Sequence, residues 1–255
     1  VAHPIIPWPG GKRRLLKHLL PIIQGVPHRC YVEAFAGGAA VLFEREPARV
    51  EVLNDINGEL VRLYRCVQHH LDEFVRQFRW ALTSREMFAW AQMQHPETLT
   101  DIQRAARFFY LQKLTFGGKV AGQSFGYHHT APAALNLLRL EETLSQAHLR
   151  LSRVTIERSE WSLLVKRYDS ADTAFYFDPP YWQTEGYGVE FGFEQYERLA
   201  AAMGSMAGKA VLSINDHPAM RQVFKPFKSK RVAHTYSING KDKSKPVGEM
   251  IYRNW

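Results

Sequence analysis

Asp178-Pro179-Pro180-Tyr181 sets a carboxylate, a rigid turn and an aromatic ring side by side. The tetrad follows Ala174-Phe175-Tyr176-Phe177, an apolar run that reads as a buried strand. Two prolines cannot extend a sheet ladder, so the strand ends at Asp178. In open α/β sheets the carboxyl ends of strands are where ligands bind. The chemistry suited to such a set is methyl transfer to an amino group conjugated with a ring. That amine is a poor nucleophile because its lone pair is delocalised. An Asp178 oxygen and the Pro179 carbonyl can each accept one N–H, which favours a pyramidal nitrogen with its lone pair aimed at a methyl donor. Tyr181 supplies a face on which the ring can stack, and Pro180 completes the turn.

Such a centre needs a donor site beside it, and two glycine segments qualify. Trp8-Pro9-Gly10-Gly11-Lys12 precedes an amphipathic run from Leu15 to Ile23. Gly10 and Gly11 allow close backbone approach to a ligand, Lys12 suits an anion or carboxylate, and Trp8 can cover a flat or cationic group, a sulfonium included. Tyr31-Val32-Glu33-Ala34-Phe35-Ala36-Gly37-Gly38-Ala39-Ala40-Val41-Leu42 reads as strand, glycine turn and helix. A second strand over Val50-Leu53 leads to Asp55, 18 residues after Gly37. Nucleotide-binding α/β folds place an acid about 20 residues on to hold ribose hydroxyls. There is no full GxGxxG, which disfavours a nicotinamide site. Ala39 follows the two glycines, and its side chain is small enough to fit the turn if its φ is negative.

Taken together, these stretches resemble the Dam-like, D12 class of DNA adenine-specific methyltransferases. Asp-Pro-Pro-Tyr resembles the family's catalytic signature, aromatic-x-Gly-Gly-Lys its first cofactor motif, and Phe35 to Ala39 its Phe-x-Gly-x-Gly turn. The resemblance implies a Rossmann-like α/β sheet that uses S-adenosylmethionine and no metal. By that resemblance the donor lies across Trp8, Lys12, Phe35, Gly37 and Asp55, with Gly10, Gly11 and Asp178 beside it. The implied reaction is methylation of the exocyclic N6 amine of an adenine turned out of double-stranded DNA. Cytosine-amine enzymes resemble Ser-Pro-Pro-Tyr and protein-glutamine enzymes favour Asn at the first position, so Asp178 argues against both. An RNA adenine methyltransferase and a catalytically silent DNA-binding protein on the same scaffold stay open as alternatives.

Between the two halves of the expected catalytic domain, 1–56 and 150–255, residues 57–149 read as a helical insertion. Leu60, Val61, Leu63, Tyr64 and Val67 recur at helical spacing, as do Leu71, Phe74, Val75 and Phe78, and Asp101 to Leu114 reads as another helix. Trp80, Trp90, His69 and His70 are assigned no role. Residues 116–129 are glycine-rich, aromatic and basic, a loop able to contact phosphates through Lys119 and offer Gln123 to a base edge. They sit where the family carries its target-recognition segment, and Ser124-Phe125-Gly126-Tyr127 resembles the end of that segment. A surface loop with a structural Tyr127 fits the same residues. The family's usual Asn-Gly is Gly117-Gly118 here, and Pro7 stands where GATC-specific relatives carry Lys.

Downstream, Arg153-Glu157 and Lys209-Asp216 read as strands, Trp161-Val165 and Phe193-Ala207 as helices, and Arg231-Ile238 with Gly248-Tyr252 as a closing hairpin. Tyr187, in a glycine-flanked loop after the tetrad, fits a stacking ring or a core ring equally.

The formal net charge of +8 and 45% hydrophobic content describe a basic globular protein suited to a polyanionic partner. No run of 18 apolar residues occurs, so no membrane span is expected. No signal-peptide pattern stands at the N-terminus, and Cys30 and Cys66 lack metal-ligand spacing; both point to a reducing cytoplasm, with a monomer or homodimer associated with the nucleoid through DNA. From Lys225 to Lys245 seven Lys or Arg face one acid, Asp242. If Lys241 and Lys243 clamp phosphates, replacing each with Ala flattens the log-log salt dependence of DNA affinity by about 0.9. An unchanged slope in a filter-binding titration identifies a solvated hairpin instead.

Overall fold

The computed structural model describes residues 2–126, 135–184, 188–234 and 247–255. Seven strands form one sheet: β1 (Cys30–Glu33), β2 (Val50–Asn54), β3 (Val154–Glu157), β4 (Thr173–Phe177), β5 (Lys209–Asn215), β6 (Lys228–His234) and β7 (Val247–Arg253). Their spatial order is β3-β2-β1-β4-β5-β7-β6. The first five run parallel, and β7 lies antiparallel to both β5 and β6. The order reverses between β1 and β4, so a crevice opens where their carboxyl ends diverge. The expected α/β sheet is therefore present, and the closing hairpin begins at Lys228, three residues before the expected start.

Ten helices surround it among the described residues: α1 (Leu16–Gln24), α2 (Ala40–Glu44), α3 (Gly58–His69), α4 (Leu71–Arg76), α5 (Arg85–Met93), α6 (Asp101–Leu114), α7 (Leu140–Leu151), α8 (Trp161–Tyr168), α9 (Phe193–Ser205) and α10 (Pro218–Val223). A short 3-10 turn covers Lys12–Arg14. None is long and apolar enough to cross a membrane.

Alternation along the central strands supplies two cores. Tyr31, Ala174 and Tyr176 face one, together with α1, α2, α3, α6 and α7. Val32, Phe175 and Phe177 face the other, against α8, α9 and α10. Every residue of β4 is buried, as a strand covered on both faces requires. Helices α3 to α7 lie between β2 and β3 in the chain, and Leu60, Leu63, Tyr64 and Val67 of α3 share the core of Tyr31 and Tyr176. Helix starts follow local chemistry: Asn57 Oδ1 accepts from Glu59 and Leu60 N–H, and Thr100 with Gln103 closes a capping box.

A buried ionic cluster joins the helical segment back to the sheet. Glu51 of β2 accepts from Arg45 at 2.6 Å and from Arg150 of α7 at 2.5 and 2.9 Å. Arg150 also reaches Leu42 O, and the Arg45 guanidinium lies 4.1 Å over the Tyr31 ring. Removing the carboxylate strands two guanidinium groups with little water around them. Glu51→Ala is expected to cost about 3–5 kcal/mol, read as a lowered urea midpoint at unchanged slope.

Candidate active site

The turn after β1 is shaped by what a side chain would strike. Gly37 has φ +46°, and a Cβ there would lie 2.6 Å from Trp8 Cδ1. Tyr64 of α3 donates its hydroxyl to Gly37 O at 2.7 Å. Asp55, at the end of β2, accepts Gly37 N–H at 3.0 Å and Asn57 N–H at 2.9 Å, one on each oxygen. Burial raises the Asp55 pKa, and those backbone donors oppose the shift. Asp55 thus shapes the turn as well as lining the space in front of it.

Ala39 differs from expectation. Its φ is +51° and ψ 35°, left-handed rather than negative. Its N–H donates to Ala36 O and its carbonyl accepts from Phe43 N–H, so the first turn of α2 holds it there. A Cβ in that region costs roughly 1–2 kcal/mol. The turn keeps a left-handed residue at the family's second-glycine position and tolerates alanine in it.

Around Asp178 the carboxylate is divided between two tasks. Oδ1 lies 2.7 Å from Lys12 Nζ and 3.4 Å from Ser213 Oγ. No described residue donates to Oδ2, and the side chain is 21% exposed. Burial raises the Asp178 pKa, while the Lys12 ammonium and Ser213 hydroxyl pull it down. Tyr176 reaches Ser213 Oγ at 2.7 Å from below. The turn is fixed by its neighbours: Tyr196 donates to Pro180 O at 2.6 Å, and Asn215 grips the backbone of Trp182 through both amide atoms. Pro179 O accepts no hydrogen bond from a described residue. Lys12 Nζ also stands 4.6 Å over the Tyr181 ring.

One cavity of about 240 Å³ runs between the two turns. Trp8, Gly11, Lys12, Phe35, Gly37, Asp55, Asp178 and Pro180 line it. Gly10, Pro179 and Tyr181 are not among the lining residues; Gly10 O accepts from Lys12 Nζ at 2.5 Å, and Tyr181 is 7% exposed. Glu33, Glu160, Trp161, Phe191 and Arg198 also line the cavity, and the sequence reading assigns them nothing. Glu33 was visible in principle, as a carboxyl between Val32 and Ala34 in an otherwise apolar strand. Its Oε2 accepts from Tyr31 OH and Leu42 N–H, and burial, aided by Asp178, pushes its pKa up to about 8. It is therefore protonated at neutral pH.

Lys119 and Ser124 are exposed on the loop after α6, which closes through Phe116 N–H to Ser124 O and Gly126 N–H to Leu114 O. Gln123 is used differently from expectation: its amide nitrogen donates to Gln112 Oε1 and Lys119 O, both at 3.0 Å. Gln112, fully buried, in turn donates to Pro7 O and Gly118 O. The loop is thereby tied to the segment carrying Trp8. Tyr127, Tyr187, Lys241 and Lys243 lie outside the described residues. Among the described residues no group of three His, Cys, Asp or Glu is disposed to hold a metal.

Comparison with known proteins agrees with this geometry. Residues 8–238 match the family described as D12 class N6 adenine-specific DNA methyltransferase. The Type II methyltransferase M.CviBI of Paramecium bursaria Chlorella virus NC1A is 27% identical over 87% of this chain and 86% of its own. M1.LlaDCHI, a Type II methyltransferase of Lactococcus lactis subsp. cremoris, is 25% identical over 99% and 95%. A DNA adenine methylase of Haemophilus influenzae is 26% identical over 97% and 92%. With a family match across most of its length and a cavity that unites the glycine turn with Asp178, the chain belongs to the D12 class of DNA adenine-N6 methyltransferases.

Proposed function

We propose that this enzyme takes its methyl group from S-adenosylmethionine and delivers it to an adenine turned out of duplex DNA, with Asp178 as the acceptor that orients the amine. The observation carrying this is the divided carboxylate: Oδ1 is engaged by Lys12 and Ser213, while Oδ2 has no donor among the described residues and Asp178 lines the cavity that reaches Gly37.

The residues fit the donor on their own chemistry. Gly37, with no side chain, lets the turn's backbone pack directly against Trp8 at the cavity wall. Asp55 accepts one backbone N–H on each oxygen, and a carboxylate oxygen has capacity for a second donor such as a ribose hydroxyl. Phe35 and Trp8 offer aromatic surface for a sulfonium and its neighbours. When bound, the donor supplies a methyl group already activated by positive sulfur, so no metal is needed.

Asp178 Oδ2 and Pro179 O accept the two N–H bonds of the adenine amine and aim its lone pair along the line of transfer. Alignment of this kind is worth roughly 7–11 kcal/mol of barrier. As the methyl moves, positive charge develops on the nitrogen, and the adjacent carboxylate stabilises it. Asp178 is not required as a base during transfer, because the proton can leave afterwards. Tyr181 is proposed to stack on the base. Extruding the adenine costs a few kcal/mol of stacking and pairing. Lys119 and Ser124, with Tyr127, Lys241 and Lys243, are proposed contacts to the duplex, and residues 57–149 its recognition unit. Gln123 is proposed to reach DNA only through its side-chain carbonyl oxygen. A reducing cytoplasm and a monomer or homodimer complete the reading.

Asp178→Ala is expected to lower methyl transfer by about 10³-fold or more, measured as tritium moved from donor to duplex DNA, while DNA association changes little. Full activity in that variant would remove the role assigned to Asp178, and faster transfer to transfer or ribosomal RNA than to duplex DNA would redirect the substrate. Gly37→Ala is expected to weaken donor binding by at least about tenfold in calorimetry, through a left-handed alanine and a clash with Trp8. DNA association should be nearly unchanged.

A further inference from the structure

Among the buried carboxyls that the mechanism leaves unused, one contacts Lys12. Glu249 lies in β7, opposite Asn215 of β5 and Val232 of β6, and is 1% exposed. Its Oε1 is 3.5 Å from Lys12 Nζ, the same ammonium that contacts Asp178 Oδ1 at 2.7 Å. A carboxylate on a central, covered strand is costly unless it is paired. Here the pairing runs to the lysine that touches the catalytic acid.

We propose that Glu249 is a positioning residue for methyl transfer: by sharing the Lys12 ammonium with Asp178 it keeps Lys12 in place and leaves the Asp178–Lys12 pair net negative beside the amine. The proposal rests on Asp178 facing the amine, as argued above. Methyl transfer carries positive charge from sulfur to nitrogen, and a carboxylate beside that nitrogen helps only to the extent that its charge is felt. Lys12 alone would cancel Asp178. With Glu249 ionised, two carboxylates and one ammonium sum to a single negative charge. With Glu249 protonated, the sum is zero.

Among the described residues, the charged groups that act on Glu249 include Lys12, from the N-terminal turn, and Asp178, from the end of β4; Tyr176 on β4 and Glu33 on β1 interact with Asp178 in turn. Burial raises the Glu249 pKa to about 7, Asp178 adds to the rise, and Lys12 opposes it. The sign follows: as pH rises through that value Glu249 ionises, the cluster gains negative charge, and transfer speeds up. Glu33, raised to about 8, stays neutral over most of the same range.

The test is Glu249→Gln, which keeps shape and removes charge. Single-turnover methyl transfer is expected to fall by about 100-fold, with affinities for duplex DNA and for S-adenosylmethionine and the thermal midpoint close to those of the parent. The parent's rise in rate across neutral pH should be absent in the variant. In the ligand-free protein, 13C NMR of labelled glutamate carboxyls should lose one resonance that titrates near neutrality. Action through Lys12 also predicts that Glu249→Gln adds less than about twofold to the loss in Lys12→Met, whereas independent, multiplying losses overturn the proposal. Should Glu249→Gln fail to fold, the parent decides alone: a single-turnover rate flat from about pH 6 to 8 overturns it, and a rise supports it. If Asp178→Ala is inactive and Glu249→Gln is not impaired, this inference fails and the reading of Asp178 stands. If Asp178→Ala keeps full activity, both fall.

Discussion

The contact between the Lys12 ammonium and Asp178 is the one on which the rest of the site depends. Lys12 is 4% exposed, and a lysine that far from water needs anionic partners. Asp178 and Glu249 provide them as ion pairs, and Gly10 O accepts an N–H from the same ammonium. These groups come from the N-terminal turn, the end of β4 and the last strand. The full set therefore forms only when the sheet has closed through β7. Two carboxyls share that one ammonium, Glu33 adds a third acid near Asp178, and the raised pKa values of Glu33 and Glu249 express the repulsion from Asp178 on top of burial. Asp178, held directly by the ammonium, is the carboxyl best placed to keep its charge.

The glycine turn is the second constraint, and it couples parts of the chain far apart in sequence. Asp55 shapes the turn, Tyr64 of α3 bonds its carbonyl, and Trp8 packs where a Gly37 side chain would be. Helix α3 starts at Gly58, directly after the Asn57 cap, and the N–H of that cap bonds Asp55. The same few residues thus end β2, shape the glycine turn and launch the helical segment. Gln112 repeats this economy at the end of α6 by bonding both Gly118 of the loop that follows and Pro7. The loop expected to meet DNA and the segment expected to meet the donor are braced by a single buried amide.

Much of this was legible in the sequence because the signals are local. Ala174 to Phe177 followed by two prolines can only be a strand that stops, and the glycines after Phe35 can only be a turn. The periodic leucines and aromatics of α3 and α6 mark their own helices. What was not legible depends on long-range approach. Glu249 and Lys12 are distant in the chain, and Glu249 looks like an ordinary strand residue until β7 is placed beside β5. Gln123 offers a recognition chemistry in sequence, yet a buried Gln112 turns its nitrogen inward. Ala39 shows a backbone angle that its residue type disfavours, imposed by the start of α2.

The charge of the chain and the charge of the cavity have opposite signs, and this separates the two substrates. The chain carries +8, which draws in a polyanion. The cavity is lined by Glu33, Asp55, Glu160, Asp178 and Glu190 against Lys12 and Arg198. Even with Glu33 neutral, the acids outnumber the bases. A phosphate entering such a cleft meets repulsion, so the duplex backbone is held at the rim. A neutral base meets none, and a sulfonium is attracted. A basic chain around an acidic cavity thus presents one sign of charge to a polyanion and the other to a group entering the cavity, and the cluster around Lys12 lies on the acidic side.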